Sequence, residues 1–150
     1  MKIETTILKN LLQNEDYARK VLPFLNDEYF TENSDKIIYN QINNFILKYN
    51  SLPNKEALNI ELSEAKITEE DFKESVNLIN EIGKDDQEFS DLSWLLDSTE
   101  KFCQDKAIYN AVVESISILD NPKSTTDKGA IPDILSDALA VSFDPHVGHD

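Results

Sequence analysis

The chain has 150 residues, 40% of them hydrophobic, and carries 29 acids against 14 bases for a net charge of −15. Length and composition point to one folded domain, or one with an appendage, and exclude global disorder. So large an excess of acids argues against direct DNA binding, which needs Lys and Arg to release counterions from the phosphates; it favours solubility and basic partners.

Met1-Lys2 leads into a helix of mixed charge and not into an apolar core with a cleavage site, so no signal peptide is predicted. Ile3, Ile7, Leu8, Leu11 and Leu12 recur at helical spacing and predict a first amphipathic helix ending near Gln13. Asn14 is placed to cap a second, with Glu15 and Asp16 in its first turn and Tyr17, Ala18, Val21 and Leu22 on its buried face; Pro23 marks its end. Phe24, Leu25, Tyr29 and Phe30 follow in a short irregular or single-turn segment, an aromatic-rich cluster that reads as core. Ile37, Ile38, Gln41, Ile42, Phe45, Ile46 and Tyr49 predict a core helix, capped by Asn33 or Ser34 with Asp35 just inside. Asn50-Ser51-Leu52-Pro53 ends it, and Asn54 starts a helix with a weaker stripe of Ala57, Leu58, Leu62 and Ala65. Thr68-x-x-Asp71 resembles a capping box for a helix bearing Phe72, Val76, Ile79 and Ile82, with Gly83 as a left-handed stop.

Residues 84–90 read as a charged linker, placing a helical head at 1–83. From Leu92 to Leu119 comes a long helix, with Ser90 as cap and Asp91 in its first turn, stopped by Asn121-Pro122. Leu92, Leu95, Leu96, Phe102, Cys103, Tyr109, Val112, Val113, Ile116 and Leu119 step by threes and fours, mostly along one stripe. At 1.5 Å per residue the helix is roughly 40 Å long, more than a small domain needs to cover one core. Part of the stripe is expected to meet a returning helix or a second copy of the chain. Beyond a polar loop, Pro132 opens a last helix with Ile131, Ile134, Leu135, Ala138 and Leu139 on one face. The loop is short enough for an antiparallel helical hairpin over 91–141, and 142–150 reads as the start of a linker. The expected fold is all-α: a small helical head followed by a long antiparallel hairpin. No run approaches the ~20 apolar residues of a membrane span.

Little chemistry is on offer. The three glycines, Gly83, Gly129 and Gly148, form neither a phosphate-binding loop nor a dinucleotide fingerprint. The two histidines, His146 and His149, lie in the tail, where one short segment does not build a closed metal site. Cys103 is the lone cysteine and sits on an apolar helix face, which makes it a packed hydrophobe and suits a reducing compartment. No catalytic, cofactor-binding or metal-binding residue is assigned.

Together these segments resemble the N-terminal domain of DnaB-like replicative helicases, and the local wording is similar to the T-even-like phage branch. The resemblance is carried by Glu28-Tyr29-Phe30, by Ser93-Trp94-Leu95 with Thr99-Glu100-Lys101, and by Gly129-Ala130-Ile131-Pro132-Asp133-Ile134. Ser142-Phe143-Asp144 and Val147-Gly148-His149-Asp150 also look like that branch. It implies the collar of a hexameric ring, assembled as a trimer of dimers through paired hairpins, in the cytoplasm of an infected bacterial host. It also implies docking of primase and, in some systems, a helicase loader. ATP and Mg are implied only for a RecA-like motor domain beyond the linker, so this chain is not itself expected to be an enzyme. Phe102, Tyr109, Val113, Ile116, Ile134, Leu135 and Leu139 are the candidate self-association residues. A stand-alone acidic protein that mimics DNA, or an adaptor, bound to a basic DNA-binding protein, remains the alternative.

Overall fold

The computed structural model describes residues 2–84, 91–121, 123 and 127–143. Among them the chain is all-α, with helices α1 (Ile3–Gln13), α2 (Glu15–Val21), α3 (Asn33–Tyr49), α4 (Lys55–Ser63), α5 (Glu69–Ile82), α6 (Leu92–Asp120) and α7 (Ile131–Leu139). Single 3-10 turns lie at Leu22–Phe24, Asp27–Tyr29 and Lys128–Ala130. The chain divides into two compact units, Met1–Leu96 and Asp97–Asp150, with the division inside α6. Most of the predicted linker, residues 85–90, lies outside the described residues.

In the first unit α1 packs on α2, α3 and α5, and α4 packs on α3 and α5. Ile7, Leu8 and Leu11 of α1, Ile38 and Ile42 of α3 and Ile79 and Ile82 of α5 are wholly buried. Burial decides this architecture over local propensity. Asn33, Asn40, Asn43 and Asn44 are poor helix formers, each costing a few tenths of a kcal/mol in α3. A fully buried Ile offsets several of them, at about 2 kcal/mol.

The capping chemistry is largely as the residues imply. Asn14, Asn54 and Thr68 accept backbone N–H bonds from Tyr17, Ala57 and Asp71 at 3.1, 2.7 and 3.1 Å. Other helix ends depart from the sequence reading. Helix α3 already begins at Asn33, and Glu32 precedes it without a side-chain cap, so neither Asn33 nor Ser34 caps it. The side chain that caps α6 is Asp91, whose Oδ2 accepts from the Trp94 N–H at 3.1 Å; Ser90 lies outside the described residues. Pro132 is the second residue of α7 and not its first.

Gly83 is right-handed, at φ −85°, so it is not a left-handed stop. The Gln13 amide donates to the carbonyls of Ile82 at 2.6 Å and Lys84 at 3.1 Å, satisfying the end of α5 from another helix. Glycine serves close approach here: a Cβ would lie 2.9 Å from the Ile79 carbonyl oxygen and 3.1 Å from Lys55 Cδ. The left-handed position is Asn50, at φ 55°, after α3. Arg19, the sole arginine, donates to the Asn50 carbonyl at 3.1 Å and to its Oδ1 at 3.3 Å, tying α2 to the end of α3.

Candidate interaction surface

The described residues contain no group of metal-ligating side chains, and His146 and His149 lie outside them. A groove of about 700 Å³ in the first unit is walled by Asp27, Lys36, Lys66 and Asp71. Two of its polar side chains are engaged structurally: Asp27 accepts from the Asn40 amide at 3.2 Å, and the Thr68 hydroxyl caps α5. Cys103 is fully buried, and burial, with Glu100 adding to it, pushes its thiol up to about 12. It is protonated and unreactive at neutral pH. Asp35 is buried with Oδ2 unpartnered. Burial raises its pKa; Lys2 pulls it down, and Glu4, Glu32 and Glu81 push it up.

What stands out is α6. Its 29 residues are apolar on two faces rather than along one stripe. Leu95, Phe102, Cys103, Ala107, Ala111 and Ile118 are buried, together with Thr99 and Ser115. The Ser115 hydroxyl is satisfied within the helix by the Ala111 carbonyl at 2.8 Å. A second set is exposed: Tyr109 at 65%, Val113 at 48%, Ile116 at 51% and Leu119 at 55%, with Ile108 and Val112 beside them. At about 100° per residue the two faces of the second half lie roughly 140° apart around the axis. Lys106 Nζ lies 6.0 Å from the centre of the Tyr109 ring.

The segment after α7 is tied to the first half of α6. The Gln104 amide donates to the Val141 carbonyl at 3.0 Å, and the Phe143 N–H donates to Glu100 Oε2 at 2.7 Å. Of the seven residues singled out from the sequence, Tyr109, Val113, Ile116 and Leu139 lie on the surface. Ile134 and Leu135 are half-buried, and Phe102 is buried, 7% exposed. Sequence reading left Ile108, Val112 and Leu119 out of that set. The signal for two of them was present, because Tyr109, Val112, Ile116 and Leu119 follow the three-four rhythm of a coiled-coil seam.

No protein-family model matches the chain. It is 36% identical over 152 aligned positions to the DnaB-like replicative helicase of Enterobacteria phage T4. The match takes in 96% of this chain, and the chain spans 31% of that protein's length. The resemblance read from the sequence therefore holds along nearly the whole chain.

Proposed function

We propose that this chain is the N-terminal collar domain of a phage DnaB-like replicative helicase and works in DNA replication in the cytoplasm of the infected host. The observation that carries the reading is the 36% identity over 96% of the chain to the phage T4 helicase. In this reading α6 and α7 form an antiparallel hairpin, to which the bonds from Gln104 and Glu100 to the segment after α7 are suited. The exposed face of α6, with Leu139, is the contact through which subunits pair into dimers within a hexamer. Phe102 then supports the hairpin from inside, while Tyr109, Val113 and Ile116 reach the mate. The acidic surface is the docking side for primase and, where one exists, a helicase loader. ATP hydrolysis belongs to a motor domain elsewhere in the longer protein, since the 150 residues contain no G-x-x-x-x-G-K-[ST] loop. The net charge of −15 also fits a stand-alone chain occupying the DNA site of a basic protein. A DNA mimic has no use for an apolar helix face, and the similarity to a helicase favours the collar.

The test is sedimentation equilibrium with circular dichroism on Tyr109→Asp and Ile116→Asp. Dissociation of the self-associated chain, by about a hundredfold or more with helicity unchanged, is the expected result. Unfolding of either variant would mean that the face is internal to one chain, and the self-association reading would fall.

A further inference from the structure

The groove of the first unit holds two cations that the fold does not use. Lys36, Ile37 and Asn40 share one side of α3 by their spacing, and line it together. Lys66, Ile67 and Thr68, which lead into α5, line it with Asp71. The two carboxylates of the groove have structural work. Asp27 accepts from the Asn40 amide, and Asp71 lies in the first turn of α5, where the helix dipole favours an acid. The lysines do not. The ammonium group of neither Lys36 nor Lys66 makes an ion pair or hydrogen bond with the described residues, in a chain of 29 acids against 14 bases.

The apolar lining of the groove narrows the choice of ligand. Ile37 and Ile67 are only half-buried, so an apolar group laid on them is taken out of water. Cations beside such a floor suit an anion attached to an aliphatic neighbour. A phosphate group suits them less well. It brings nearly two negative charges past Asp27 and Asp71 and gives the isoleucines nothing to cover. The volume of about 700 Å³ is that of a site for several linked groups and exceeds what a single ion fills. The acidic surface as a whole draws basic partners, whereas this groove offers unpaired positive charge at close range.

We propose that the groove binds a short extended peptide in which two acidic side chains flank an aliphatic one. The carboxylates meet Lys36 and Lys66, and the aliphatic side chain covers Ile37 and Ile67. The site makes no use of the α6 face, so it stands or falls apart from the collar reading. With the net charge of −15 opposing an acidic ligand, binding is weak, with a Kd on the order of 0.1–1 mM. The test is an amide NMR titration of the whole chain with the peptide acetyl-Ser-Glu-Leu-Glu-Ser-amide. The amides of Lys36, Ile37, Ile67 and Thr68 should shift together. Lys36→Ala and Lys66→Ala should each weaken binding about fivefold with helicity unchanged, and replacing both peptide Glu residues by Gln should weaken it about tenfold or more. Absence of shifts at these amides up to about 10 mM peptide would overturn the proposal. So would a Gln peptide that binds equally well, a Lys36→Ala/Lys66→Ala chain that binds as tightly as the unsubstituted one, or tighter binding of inorganic phosphate at the same amides.

Discussion

Asp35 shows how far one side chain can depart from its sequence reading. The sequence places it just inside the start of α3, in the first turn, where the helix dipole favours an acid. The packing instead buries it, with Glu4, Glu32 and Glu81 nearby and Oδ2 unpartnered. Its folded pKa is raised above 3.8, so the native state holds the proton more tightly than the unfolded chain. The stabilisation by the protonated acid is thus full below the unfolded value and is lost as pH rises through the raised folded value. At pH 7 Asp35 is a liability. Asp35→Asn should raise stability at pH 7 by about 1 kcal/mol in urea unfolding, and the advantage should vanish as the pH is brought below 4. An advantage that persisted at low pH would assign the effect to shape rather than charge. Cys103 follows the opposite course: a residue on an apolar face was predicted to pack as a hydrophobe, and it is fully buried. Burial of an apolar group follows from pattern, whereas burial of a charged one depends on which neighbours the fold brings up.

At the scale of elements, helix types and positions were legible because apolar spacing and caps are local. Asn14, Asn54 and Thr68 each do what their place before an apolar stripe implies. Helix ends were less legible, since their carbonyls can be satisfied from afar. Gln13 closes α5 across 69 residues, which removes the need for a left-handed glycine there. Asn50 takes the left-handed position instead and is held by Arg19. Asn50→Gly should therefore change stability by only a few tenths of a kcal/mol, because glycine adopts positive φ without strain. Asn50→Ala should cost about 1 kcal/mol, as Cβ meets the carbonyl in that conformation. Thermal melts of the two variants measure the difference; equal loss in both would place the contribution in the Asn50 amide and not in its backbone. On α6, three-four spacing identified the apolar residues but did not sort them between faces. Ala107, Ala111 and Ser115 form the buried side although they are small or polar, and Tyr109 and Ile116 lie outside although they are large. Size predicts burial poorly when a helix has apolar residues on both sides.

For the whole molecule the governing quantity is charge. Two chains of −15 repel each other, and that repulsion opposes the self-association proposed above. Salt screens that repulsion and should therefore strengthen self-association. Sedimentation equilibrium should show a dimer several-fold tighter at high than at low ionic strength. Weakening with salt would instead mean that ion pairs across the interface outweigh the net charge.

The all-α class, the order of the helices, most of their caps and the resemblance to a phage replicative helicase were all determined by the sequence, because periodicity, turn residues and local wording are properties of neighbours along the chain. Tertiary structure decided which carboxylate is buried, which side chain closes α5 and which face of α6 is left to solvent. Those outcomes depend on contacts between residues distant in sequence, and spacing along one helix cannot specify the surface that helix will meet.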